Sequence, residues 1–362
     1  AVASFYSNIL NDSLSAIQTP GVFTGTLGGK VEWHWTRSFT HPTTGVATFH
    51  VDPTVPANEF TVYVGARHLT GNALGLGGPG GYSWSSNTTS NFTPAEQTAW
   101  MNIQNQFVSA VEMRGQPSGF GRWGGVFTVD TTLGNGWTWH VNHTTPPTAN
   151  TLDLYSVALH EIGHALGIGN IQSPTPSVWQ TLLNAATTHF VGPQAMTLYG
   201  GPVPLHSDDA HFAEGTASKN FTTFANQEVA FDPTLTVGTR KHLTLLDAAA
   251  LIDLGWEINL PTGPPVLAGD YNCDGKVDAA DYTVWRNNLG DSTEADINFA
   301  GNGGGVTATD YTYWKTRYGN MAPGGGVLAG FGTVPEPGTM VLVLIAAGVV
   351  PLRLSRSASR RG

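Results

Sequence analysis

The stretch Asp153-Leu-Tyr-Ser-Val-Ala-Leu-His160-Glu161-Ile-Gly-His164-Ala-Leu-Gly167 decides how this chain is read. Asp153 is a good helix N-cap, because its carboxylate can accept the free amides of a first turn. Gly167 is a good C-terminal breaker. A helix between them puts His160 and His164 one turn apart on one face. Two imidazoles so placed can reach one zinc ion, which takes a third protein ligand and keeps a fourth position for water. Glu161, beside the first histidine, is then placed to take a proton from that water. The plainer reading is a helix that happens to carry two histidines. Against it, the five-residue pattern arises by chance in about one chain in a hundred of this composition, and it sits on a capped, otherwise apolar helix.

The third ligand must come from farther along. Three residues past Gly167 stands Asn170, a poor zinc ligand beside histidine or carboxylate. Downstream, Leu205-His206-Ser207-Asp208-Asp209-Ala210-His211-Phe212 offers two histidines. Asn226-Gln227-Glu228-Val229-Ala230-Phe231-Asp232-Pro233 follows, and then a helix with Thr244 as cap, Asp247 closing a capping box and Gly255 as breaker. His140 and His143 read as strand and loop residues, since their spacing fits no closed zinc site.

Around these motifs, the chain has 362 residues, enough for one large domain and one or two small ones. Apolar residues at 40% allow a sizeable core, while 12% charged residues, 45 Gly and 22 Pro describe a loop-rich surface. That excludes a coiled coil and a highly charged disordered chain. A net charge of -10 argues against a nucleic-acid partner, because phosphate binding needs a basic face. The single cysteine, Cys273, excludes an internal disulfide framework.

Residues 1–262 read as one domain. Glu59 to Arg67 alternates and is rich in β-branched residues, which predicts a strand. Gly71 to Gly81 reads as a glycine-rich loop. Thr93-Pro94-Ala95-Glu96 predicts a helix start with a capping box, and Trp100, Ile103, Phe107 and Val111 follow at helical spacing as core. Val126–Asp130 and Trp137–Val141 read as strands. A proline-rich linker covers 259–267.

In residues 268–320 two related segments each end in a similar helix. The first, Asp270-Tyr271-Asn272-Cys273-Asp274-Gly275-Lys276 and on to Asp281, carries oxygen ligands at loop positions 1, 3 and 5. Gly at position 6 gives the sharp turn, Lys276 offers a backbone carbonyl at position 7, and Asp281 a carboxylate at position 12. This is a Ca2+ loop pattern with Asp where an EF-hand has Glu. Cys273 falls at a non-ligand position. The second segment, from Asp296 through Asn298 and Asn302 to Asp310, is stretched and poor in carboxylates, so calcium is expected in the first loop and not in the second. The bland alternative is a turn-rich linker.

The ends point outside the cell. The chain starts Ala1-Val2-Ala3-Ser4, as expected once a signal peptide has been removed. Residues 321–333 read as a linker. In 334–362, Val334-Pro335-Glu336-Pro337-Gly338 precedes an apolar run from Met340 to Leu352 and then Arg353, Arg356, Arg360 and Arg361. That order reads as a stop-transfer helix with a positive cytoplasmic end, or more plainly as a greasy tail.

Three resemblances attach to these residues. His-Glu-x-x-His-x-x-Gly resembles the extended motif of metzincin zinc proteases. The order of the downstream blocks resembles the leishmanolysin-like branch, over residues 120–257. The resemblance implies that His211, followed by Phe212, is the third ligand, with His206 or Asn170 as the other options. It puts Glu228-Val229-Ala230 or Phe231 at the Met-turn, where the usual Met is missing, and Asp253-Leu254-Gly255-Trp256 at the end of the closing helix. The loop-plus-helix repeat resembles a dockerin module, which implies a cohesin-like partner. The tail resembles the PEP-CTERM sorting signal, which implies export, a transient membrane anchor and an exosortase-type processing enzyme.

The expected fold is α+β: a metzincin-like domain with a mixed sheet, an active-site helix and an irregular C-terminal subdomain, then a small helical calcium-loop module and a C-terminal apolar helix. The expected function is an exported zinc endopeptidase acting on protein or peptide substrates, with Glu161 as general base. The alternatives are a catalytically impaired zinc-binding surface or adhesion protein acting through its dockerin-like module, and a structural calcium module with an incidental helix motif.

Overall fold

The computed structural model describes residues 1–114, 116, 123–170, 176–261, 267–272, 274–291, 295–297, 300–302, 305–321 and 350–355. The chain is a mixed α+β protein that divides into two compact units. One is built from Ala1–Ser218, Gln227–Asn259 and Ala346–Gly362, the other from Lys219–Asn226 and Leu260–Ile345.

The chain order begins α1 (Val2–Ile9), β1 (Val22–Thr24), β2 (Lys30–Thr40), β3 (Ala47–Val51), β4 (Glu59–Arg67), β5 (Gly75–Pro79), β6 (Gly81–Thr88) and α2 (Pro94–Met113). It continues with β7 (Gly124–Asp130), β8 (Thr138–His140), β9 (Thr151–Asp153), α3 (Leu154–Ala165), α4 (Val178–Thr181), β10 (His189–Phe190), α5 (Pro193–Tyr199) and β11 (Val203–Pro204). It closes with β12 (Ala217–Lys219), β13 (Asn226–Glu228), α6 (Leu245–Leu254), α7 (Ala279–Asn287), α8 (Ala308–Lys315) and β14 (Val350–Ser355).

Two sheets organise the first unit. In one, β2 pairs antiparallel with β6 along one side and with β1 and β3 along the other. Val31, Trp33 and Trp35 alternate inward along β2, as a half-buried strand requires, and join Phe39, Tyr63, Trp123, Phe107 and Val111 in one core. Phe107 and Val111 come from α2, where Trp100 and Ile103 also pack against the cluster. That helix starts at the Thr93–Glu96 capping box.

The other sheet has the order β14-β4-β7-β5. β4 and β7 are parallel, and β5 runs antiparallel to β7 with Gly77 opposite Phe127. The expected glycine-rich loop is therefore, over Gly75–Pro79, a strand at the sheet edge. The reason is steric: a Cβ on Gly77 would lie 2.1 Å from the backbone oxygen of Glu161, so only glycine lets the strand lie flat against α3. The expected C-terminal apolar helix is corrected where it is described. Val350–Ser355 is a strand antiparallel to β4, with Leu354 opposite Phe60. Val-Pro-Leu-Arg-Leu-Ser alternates with a period of two, and Pro351 sits on an edge strand, where a missing amide is tolerated. The rest of the apolar run and the arginines from Arg356 on lie outside the described residues. Among the described residues no helix is long and apolar enough to cross a membrane.

The second unit has its own small core of Tyr271, Trp285, Ile297, Ala300 and Val306. Helices α7 and α8 are related in detail. Each opens with a capping box, Asp278 with Asp281 and Thr307 with Asp310. The Trp285 indole donates to the carbonyl of Thr307, and the Trp314 indole donates to that of Asp278, so each helix is anchored on the other's cap.

Candidate functional site

Helix α3 forms where the sequence places it. The Asp153 carboxylate accepts from the Ser156 amide at 3.0 Å, and Leu159, Ile162 and Ala165 are buried. His160 and His164 then share a face, with their Nε2 atoms 2.9 Å apart. His211 arrives from a loop 47 residues beyond His164. Its Nε2 lies 3.1 Å from each of the other two.

The second nitrogen of each ring fixes what these three atoms are. Nδ1 of His160 lies 2.7 Å from the carbonyl of Ala230, Nδ1 of His164 2.8 Å from the carbonyl of Ile168, and Nδ1 of His211 2.8 Å from Oδ2 of Asp208. A carbonyl or carboxylate only accepts, so each Nδ1 donates, and in a neutral ring Nε2 is then an acceptor. Burial and the neighbouring rings hold His160 well below its ordinary pKa. Burial and His211 bring His164 to about 4. With each Nδ1 donating, neutral rings would turn three Nε2 lone pairs toward one point, an arrangement that a cation there relieves. Zinc–nitrogen bonds of about 2.05 Å at tetrahedral angles would separate the nitrogens by roughly 3.3 Å, close to the observed spacing. The donor set and its spacing fit zinc.

Asp208 is a positioning partner that the motif alone did not reveal. Burial alone would push its carboxyl up, but the Ala210 amide and the His211 and His206 rings outweigh it and hold the group at about 2. His206 takes no place in the trio: its Nδ1 lies 3.1 Å from the same Asp208 oxygen. Asn170 lines the same cleft as the trio. The floor beneath the trio is Phe231, whose ring centroid is 5.9 Å from that of His160 and 6.5 Å from that of His164. The fit is tight, since a Cβ on Gly163 would lie 2.0 Å from Cε1 of Phe231. Asp247, buried in α6, accepts from the amides of Ala230 at 2.9 Å and Phe231 at 3.3 Å, and so holds the segment whose carbonyl orients His160.

Glu161 is 8% exposed and faces the cleft beside β5. Burial pushes its carboxyl up to about 8, and the Gly77 amide works in the other direction. A nearby divalent cation favours the carboxylate and draws it down again. The cleft has a volume of about 930 Å³ and runs between β5 and the loops around Thr132–Asn135 and Pro233–Leu235. A second acidic group, Glu214, Glu228 and Asp232, lies close by. The Lys241 ammonium is bonded to Asp232 and lies 2.8 Å from Glu228. One ammonium against three carboxyl groups leaves the cluster acidic, and burial, with the charges of Glu228 and Glu214, raises Asp232 to about 7 despite Lys241.

In the second unit the carboxylates of the first loop accept from the loop's own amides. Asp270 accepts from the amides of Asp274 at 3.1 Å and Gly275 at 2.8 Å, and Asp281 accepts from Asn272 at 3.0 Å and Asp278 at 2.7 Å. Asn272 bonds Asp274 at 3.1 Å, and the Lys276 amide bonds Asp274 at 2.9 Å. Burial, and then the charges of Asp281 and Asp274, push Asp270 up to about 6, partly offset by the Gly275 and Asp274 amides. Burial also raises Asp281. Cys273 lies outside the described residues, as do Asn298, Gly303 and Gly304 of the second loop.

Compared with protein families, curated proteins and solved structures, the chain matches none.

Proposed function

We propose that this chain is an exported zinc endopeptidase of metzincin-like architecture. The observation that carries the reading is the trio itself: three imidazoles, each oriented by a bond at Nδ1, bring their Nε2 atoms together at the wall of the cleft. When bound, zinc supplies a Lewis acid for the scissile carbonyl and acidifies a water. His160, His164 and His211 would hold it. Glu161, one residue along the helix from His160 and open to the cleft, takes the proton from the attacking water and passes it to the leaving amine. Among the described residues β5 pairs only with β7, which leaves its outer edge along the cleft wall for an extended peptide to be added as a further strand. The helix-strand contact at Gly77 holds that edge beside Glu161.

Calcium in the Asp270–Asp281 loop, a cohesin-like partner, and sorting through the C-terminal tail by an exosortase-type enzyme complete the proposal. They rest on the ligand spacing of the loop sequence and on the sequence resemblances.

The test is Glu161→Gln. The variant keeps one zinc per chain by elemental analysis and loses about 100- to 10,000-fold in casein or peptide hydrolysis. Unchanged hydrolysis in the variant, or no zinc in a protein purified without chelator, overturns the reading.

A further inference from the structure

A second groove, of about 490 Å³, lies on the other side of β5. Its walls are Phe39 from β2, Phe49 from β3, Arg67 at the end of β4, and Leu76, Gly78 and Val126 from β5 and β7. Leu76 through Pro79 line both this groove and the catalytic cleft, so β5 is the wall between them. The strand's two faces differ. Gly75 and Gly77 press on α3, whereas Leu76 points away and is 48% exposed, and a Cβ on Gly78 would meet nothing within 4 Å. Across the groove Phe49 is 64% exposed.

The charged residue of this groove, whose lining also includes Ser38, Thr40 and Thr128, is Arg67. Its Nε is buried without a hydrogen-bond partner, its Nη1 makes only a 3.5 Å contact with the carbonyl of His68, and among the described residues no carboxylate lies within ion-pair distance. A guanidinium with unused donors in a groove that Phe39, Phe49 and Leu76 also line is complementary to a carboxylate carried on an apolar stem.

A peptide lying along the outer edge of β5 would alternate its side chains, one set toward α3 and the histidines, the other toward this groove. We propose that the groove is a specificity subsite that takes an acidic side chain of the substrate, within a few residues of the cleaved bond, with Arg67 as its counter-charge. This rests on the peptidase reading above.

The experiment uses the full chain, its Arg67→Glu variant and a Phe49→Asp variant, which alters an exposed side chain and adds a negative charge to the same trough. Cleavage sites are mapped in a mixed peptide library. The expected result is enrichment of Asp and Glu at one position near the cut in the wild type. That preference falls roughly five- to tenfold in Phe49→Asp and turns to Lys or Arg in Arg67→Glu. Identical residue preferences in all three proteins overturn the subsite. Should the wild type cleave nothing, the peptidase reading fails separately. Fluorescence anisotropy then decides the groove, with two labelled peptides that differ only in Glu against Lys. Equal affinity of wild type and Arg67→Glu for both peptides overturns it.

Discussion

A histidine binds a metal through one nitrogen, but the other nitrogen decides which way the ring faces. In this site the orienting acceptors are two backbone carbonyls and one carboxylate, and the carboxylate is the one that mutagenesis can reach. Asp208→Ala removes the acceptor at Nδ1 of His211, freeing the ring to turn and to change tautomer. The expected outcome is a roughly 10- to 100-fold weaker zinc affinity in competition with a chromophoric chelator, with Asp208→Asn falling between the variant and the wild type. At this scale the sequence was partly legible. His160, Glu161 and His164 were marked by their spacing, and His211 by the order of the downstream blocks. The carbonyls of Ala230 and Ile168 were not legible, because a backbone acceptor leaves no signature in residue type. Asp208 sat in plain view, but with His206 and His211 both beside it, only the fold could show which ring it orients.

At the scale of elements, α3 is held at its N-terminus by a forked ion pair. Arg240 places Nε 2.9 Å from one Asp153 oxygen and Nη2 2.7 Å from the other. Burial pushes the Asp153 carboxyl up, but bonds from Arg240 and Ser156 outweigh it and hold it below its ordinary value. Since the folded pKa lies below the unfolded one, the stabilisation is complete above about pH 4 and is lost as pH falls through the folded value. Arg240→Ala leaves a buried carboxylate uncompensated. Urea denaturation at pH 7 should show a loss of about 3–5 kcal/mol, shrinking toward pH 3 as the carboxylate takes up a proton. The elements that could be read in advance carry a clear signal in residue type: α2, α3 and α6 have a capping residue at the right place, and β4 a run rich in β-branched and aromatic residues. β5 has no such pattern. Its Gly-Leu-Gly-Gly-Pro offers almost no side chains to count, and its existence depends on pairing with β7 and on the close approach of α3. A short run of large apolar residues is similarly silent about whether it coils or extends, and at Val350–Ser355 pairing with β4 settles it.

At the scale of the whole molecule, the reading proposed above assigns one metal to each of the two compact units, with different chemistry. Nitrogen donors in the first suit zinc, and oxygen donors in the second suit calcium. Scanning calorimetry should therefore separate the two ions. Saturating calcium at about 100 times its Kd stabilises the second unit by about 2.7 kcal/mol. Asp281→Ala abolishes that shift, while removal of zinc with a nitrogen-donor chelator lowers only the transition of the first unit. A single shift common to both treatments would refute independent sites. A protein read as working outside the cell also meets peroxide and hypochlorite. In the resembled proteases the floor under the metal is a thioether, which such oxidants convert to a polar sulfoxide. Here Phe231 takes that position, and among the described residues no methionine lines the cleft. A benzene ring offers these reagents no sulfur, so bleach-like stress should leave the platform beneath the imidazoles chemically intact.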